Sequence, residues 1–167
     1  PGANFIDSAQ YFLAQSYFGN EDFELAAVEF GRLVSNYPQS DYYDDAQFMN
    51  GLCYYKSTPG HFGLDQEDLK LGIAALNNFI LDNPESDLVP TAEQTVLEAR
   101  TKLAHKEYEN GMLYTKVYDN KAAKIYFQLV VDEYTDTEYA GKSLFRLAEI
   151  DYKEKNYQGA QEKLNHF

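Results

Sequence analysis

The sequence predicts an all-α chain of antiparallel helix pairs stacked into a superhelical solenoid, and three observations predict it. First, Asp7 to Pro38 reads as two amphipathic helices joined by a polar turn, with Leu13, Ala14 and Tyr17 on one and Ala26, Phe30 and Leu33 on the other. Small residues let two helix backbones approach, and large ones fill the groove beside them. Second, this stretch recurs. A shift of 37 lays Ala46, Gln47, Gly51 and Tyr54 on Ala9, Gln10, Ala14 and Tyr17, and a shift of 97 lays Gly111, Tyr114, Ala123 and Phe127 on Ala14, Tyr17, Ala26 and Phe30. A shift of 134 lays Leu147, Ala148, Ala160 and Leu164 on Leu13, Ala14, Ala26 and Phe30. Third, the joints match: YPQSD, NPESD and YTDTE begin at Tyr37, Asn83 and Tyr134.

The order large, small, aromatic, then small, large, proline is that of a tetratricopeptide (TPR) repeat, so the expected fold is a TPR-type solenoid. One solenoid over 1–167 is expected, with repeats at about 4–38, 41–84, 87–135 and an incomplete 138–167. At the joints, Ser40, Ser86 and Thr137 are expected to cap the next helix. Pro38 and Pro84 stop the preceding one, and Thr135 in the third joint makes a weaker stop.

Two elements depart from the template. The first is a loop insertion in repeat 2. Pro38 and Pro84 lie 46 apart while the first helices lie 37 apart, so nine residues are added, near 58–66 (TPGHFGLDQ). Phe62 and Leu64 are expected to fold back onto the helices, and Asp65 to cap a helix beginning near Glu67. The second is an overlong first helix in repeat 3. From Ser86 to Gly111 is 25 residues, against 11 from Ser40 to Gly51. Thr91 to Asn110 holds neither Gly nor Pro, which predicts one helix over 90–118, roughly 43 Å long. The last helix is expected to leave Leu164 and Phe167 partly uncovered.

Composition narrows the function. Lys and Arg total 14 against 27 Asp and Glu, a formal charge of −13. That argues against binding nucleic acid, which needs clustered cations, and against docking on anionic lipid through a basic face. Cys53, the single cysteine, reads as a buried thiol. No apolar run is long enough for a membrane span. His61, His105 and His166 do not pair at metal-ligand spacing, and no catalytic or phosphate-binding motif is present. A non-enzymatic chain is therefore expected, with no catalytic, cofactor or metal residue to name.

A binding role has residues to name. In this architecture the first helix of each pair lines the concave face, through Tyr11, Gln15 and Phe18, then Phe48, Leu52 and Tyr55, then Tyr108 and Met112, then Phe145 and Tyr152. Many of these are aromatic on a face that folding need not bury. A groove for an extended or helical peptide is one reading; packing of these rings on one another is the other.

The departures carry a resemblance. HFGLDQEDLKLGIAALNNFILDNPESDL and LAHKEYENGMLYTKVYDNKAAKIYFQLVVDEYTDTEYA resemble the BamD family of outer-membrane lipoproteins of the bacterial β-barrel assembly machinery. The resemblance implies a subunit at the periplasmic face of the outer membrane, held by an N-terminal lipid that this chain does not carry. It implies three kinds of partner: the periplasmic domains of the BamA-like barrel subunit, accessory Bam lipoproteins, and extended segments of unfolded outer-membrane proteins. Those segments would meet Tyr11, Phe18, Phe48, Tyr55 and the loop Phe62–Asp65, and the barrel subunit would face the repeats from Tyr108 onward. The alternatives are a periplasmic adaptor of the Tol-Pal type, whose repeats would be evenly spaced, and a generic scaffold for a folded partner. A carboxylate-clamp TPR is weak, since Lys142 is the sole basic residue among the groove positions.

Overall fold

The computed structural model describes residues 3–165. Among these, eight α-helices and no strand are present: α1 (Ala3–Gly19), α2 (Phe23–Asn36), α3 (Tyr43–Ser57), α4 (Glu67–Asp82), α5 (Val89–Lys116), α6 (Asn120–Glu133), α7 (Glu138–Lys153) and α8 (Tyr157–Asn165). Helices α1 to α4 pack each on the next, as do α6 to α8, in the manner of a TPR-like repeat. The chain divides into two compact units, one ending at Ala99 and the other starting at Arg100, with the division inside α5. His166 and Phe167 lie outside the described residues.

In the first unit, Ala14, Ala26, Phe30 and Leu33 are fully buried together with Ala46 and Cys53. Burial pushes the Cys53 thiol up to about 12. A second cluster joins Phe48, Leu76, Phe79 and Ala92. The small positions work as expected where α3 meets α4. A Cβ on Gly51 would stand 2.6 Å from Leu76 Cγ and 3.1 Å from its backbone nitrogen. Leu13, in contrast, is 44% exposed, because among the described residues no helix lies on that side of α1. In the second unit Ala123, Phe127, Leu147 and Ile150 form the core, flanked by Tyr108, Met112 and Tyr114.

The turns within pairs share one conformation. Glu21, Tyr118 and Lys155 are the described non-glycine residues with positive φ, at 63°, 61° and 63°. They are equivalent, since 118 − 21 is 97 and 155 − 21 is 134. After each, the next backbone N–H closes onto the carbonyl five residues back: Asp22 to Tyr17 (2.9 Å), Asp119 to Tyr114 (3.0 Å) and Asn156 to Asp151 (2.9 Å). This is the left-handed helix stop usually made with glycine. Between α3 and α4 it is replaced by residues 58–66.

That segment is held at its ends, where Thr58 and Gln66 are buried. Asp65 Oδ1 accepts from the Glu67 N–H at 3.1 Å, but Gln66 stands at the cap position, so Asp65 shapes the turn into α4 and is not the expected cap. Phe62 is half-buried and stacks on His61, with centroids 4.8 Å apart. Leu64 does not fold back; it is 53% exposed.

The joints differ from expectation in detail. Ser40 Oγ accepts from Tyr42 N–H (3.2 Å) and Ser86 Oγ from Leu88 N–H (3.3 Å), one residue ahead of each helix. These hydroxyls shape the turn before the helix and do not cap it. Thr137 stands at the cap position, but its hydroxyl donates backward to the Tyr134 carbonyl (2.9 Å). Helix α6 still ends at Glu133, with Tyr134 N–H on the Val130 carbonyl, so the stop does not need proline.

Candidate functional site

The residues expected to line a groove in the first unit are mostly engaged by other side chains of that unit. The Tyr11 ring stacks on Tyr42, with centroids 4.5 Å apart and planes at 16°, and meets Phe30 edge-on at 5.8 Å. Gln15 Nε2 donates to the Tyr11 hydroxyl at 3.0 Å. Burial raises the Tyr11 pKa and outweighs the lowering effect of that bond. Phe18 is half-buried against Phe23. Phe48 is only 6% exposed and packs on Phe79 at 5.6 Å. Its ring belongs to the core, which corrects its assignment to a free groove face: α4 and α5 cover it through Phe79 and Ala92. Leu52 packs against the same cluster. The Tyr55 hydroxyl donates to Glu98 Oε2 at 2.8 Å, and burial, then that carboxylate, push its pKa up to about 12.

In the second unit the four named residues divide. Tyr108 and Met112 pack inward, Tyr108 lying 5.6 Å from Phe127 and 5.5 Å from Tyr139. Arg146 Nε donates to the Tyr108 hydroxyl at 3.2 Å. Phe145 and Tyr152 remain 45% and 65% exposed. They border an open pocket of about 240 Å³ with Ala148, Glu149, Lys153, Ala160 and Leu164. The walls are apolar side chains of α7 and α8, and the charge sits at the rim on Glu149 and Lys153. Such a surface has room for an apolar group. His105 stacks on Tyr139 at 4.9 Å.

Two ionic features escaped the pattern. Asp151 is buried and accepts from Lys124 Nζ and Lys163 Nζ, each at 2.7 Å, joining α6, α7 and α8. Its position is the template's aromatic one, since 151 − 134 is 17, where Tyr17, Tyr54 and Tyr114 stand in the other copies. The loss of that tyrosine was the available signal. Arg100 grips Asp136 with two bonds of 2.7 Å and also donates to the Glu133 carbonyl, fastening α5 to the joint before α7. A groove of about 640 Å³ beside Lys124 and Lys163 exposes Ile125 and Leu129. Among the described residues, no cluster of side chains fits a metal ion, and no helix is long and apolar enough to cross a membrane.

A comparison with protein families matches residues 1–167 to the family YfiO, described as an outer membrane lipoprotein. No curated protein matches the chain.

Proposed function

Since this chain belongs to the YfiO family of outer membrane lipoproteins, we propose that it is a non-enzymatic binding scaffold of the machinery that assembles β-barrel proteins in the outer membrane. The observation that carries the reading is the family match over residues 1–167. Its second support is the fold: paired helices with apolar side chains left open at α7 and α8, a surface suited to a protein partner. In this reading the chain works at the periplasmic face of the outer membrane, held there by a lipid anchor outside this sequence. Its partners are the periplasmic domains of the BamA-like barrel subunit, accessory lipoproteins, and unfolded segments of outer-membrane proteins.

The barrel subunit is assigned to the second unit, where Phe145 and Tyr152 are open. Unfolded segments are assigned to the first unit, around Phe18, Tyr55 and Phe62. Phe48 is withdrawn from that surface because its ring is core. The test is a titration of the whole chain with the isolated periplasmic domains of the barrel subunit. Tyr152→Ala is expected to weaken binding about tenfold with helicity unchanged. Equal affinity of the variant and the parent chain would remove the docking assignment.

A further inference from the structure

Three apolar side chains stand in water at one turn of the second unit, far from either end of the sequence. Leu113 is 56%, Val117 62% and Tyr118 93% exposed, and the turn they mark joins α5 to α6. Leu113 and Val117 lie four residues apart and so share one face of α5. At the other two left-handed turns, the positions of Val117 and Tyr118 hold Asn20 and Glu21 (117 − 97 and 118 − 97), and Glu154 and Lys155 (117 + 37 and 118 + 37). The turn is therefore made equally well by polar residues, and glycine suits a φ of 61° better than a bulky ring does. Folding gains little from the Tyr118 ring, which points to a contact outside the chain.

The charges around this tip narrow what it meets. Lys116 and Lys121 flank it, both exposed and neither in an ion pair among the described residues. The carboxylates beside them are engaged within the chain. Asp119 Oδ1 accepts from the Ala122 N–H at 3.0 Å, and Glu154 accepts from Lys124 Nζ at 2.6 Å and from Asn120 Nδ2 at 3.2 Å. Salt screens exposed charges beyond roughly 8 Å, so the tip feels its own two lysines more than the −13 of the whole chain. A ring with a hydroxyl, two aliphatic side chains and two unpaired lysines match the boundary between acyl chains and phosphates. Tyrosine collects at that boundary, and lysine extends its stem along apolar surface to keep its ammonium among the headgroups.

We infer that the tip formed by Leu113, Val117 and Tyr118 rests in the headgroup region of a phospholipid membrane, with Lys116 and Lys121 on lipid phosphates. The inference rests on the lipid-anchored reading above, because three side chains hold a protein at a bilayer only once an anchor keeps it there. The contact is apolar, with the lysines in support, and so differs from docking through a basic face. A tip seated in this way orients the second unit at the membrane surface.

The chain has no tryptophan, so Tyr118→Trp supplies a single fluorescent reporter. The whole chain is tethered through an N-terminal histidine tag to vesicles of phosphatidylethanolamine and phosphatidylglycerol that carry a nickel-chelating lipid. Emission from position 118 is expected to move to shorter wavelength on the vesicles and to be quenched by brominated acyl chains. Adding Val117→Asp should return the emission to its value in water, with circular dichroism unchanged because Val117 is 62% exposed. Thr135→Trp, at an exposed position beyond the far end of α6, is the control and is expected to stay unshifted. Emission at 118 that stays unshifted on vesicles, shifts no more than at 135, or shifts only when the periplasmic domains of the barrel subunit are added overturns the inference. Because the tag takes the place of the anchor, these results leave the barrel-assembly reading untouched, and the titration above tests that reading by itself.

Discussion

Lys124 Nζ and Asp151 Oδ1 stand 2.7 Å apart, and the same carboxylate receives Lys163 Nζ on its other oxygen at 2.7 Å. The Asp151 side chain is 5% exposed, while the two lysines keep 33% and 28% exposure. The carboxylate thus bears most of the desolvation, and two cations offset it. Removing it would take this partner from Lys163 and leave Lys124 with Glu154, at 2.6 Å.

Asp151→Ala is therefore expected to destabilise the second unit by about 2–3 kcal/mol, below the range for fully buried pairs because both lysines can reach water. Urea unfolding of the whole chain checks this. Lys163→Met should cost far less, as Lys124 keeps the carboxylate paired.

The same cluster sets a response to acid. Burial raises the Asp151 pKa, but the bonds from Lys124 and Lys163 outweigh it and leave the group below its ordinary 3.8. Asp136 is lowered by Arg100, and Glu154 by Lys124. A depressed folded pKa gives stability that is present above the unfolded value and lost as pH falls through the folded one. Thermal stability attributable to these groups is expected to hold at neutral pH and to decline below about pH 4. In Asp151→Asn, part of that decline should be missing.

Tyr55 predicts the alkaline side. Its pKa is raised from 10.0 to about 12 by burial and by Glu98. A raised folded value means the stabilisation is complete below pH 10 and is lost as pH climbs toward 12. Tyr55→Phe should lessen the loss of stability between those values, followed by circular dichroism.

Gly51→Ala places a methyl 2.6 Å from Leu76 Cγ, with the Leu76 backbone nitrogen 3.1 Å behind it. Helix propensity favours alanine by about 1 kcal/mol, but separating α3 from α4 costs more. A net loss of about 1–2 kcal/mol is expected from denaturant midpoints. A neutral or stabilising result would show that the two helices can slide apart cheaply.

Tyr118 is 93% exposed and held at φ 61°. A left-handed non-glycine residue costs about 1 kcal/mol or more, partly offset by the extra freedom glycine has when unfolded. Tyr118→Gly should raise stability by up to about 1 kcal/mol, measured as a higher melting temperature.

What could be read from the residues was what repeats. Ala14, Ala26, Phe30 and Leu33 carry their burial in their spacing, so the helix pairs were legible. Phe48 was not, because its cover comes from Phe79 and Ala92, 31 and 44 positions away (79 − 48 and 92 − 48). Leu13 has the template's spacing without the template's neighbour. Asp151 finds its lysines 27 residues before it and 12 after it, and helical periodicity carries no information about such pairs. The bond from Asp65 to the start of α4 was legible because a turn bond between near neighbours depends on local chemistry alone, but the cap position itself falls on Gln66.

The left-handed turn at Glu21, Tyr118 and Lys155 is built from three unrelated side chains, and between α3 and α4 a segment of different length and composition takes its place. Register between paired helices is therefore written in their facing surfaces and not in what connects them. The chain behaves as modular hardware with exchangeable connectors. A guest peptide spliced between Gly60 and His61, both exposed, would be displayed on the surface while the helix pairs around it keep their seating.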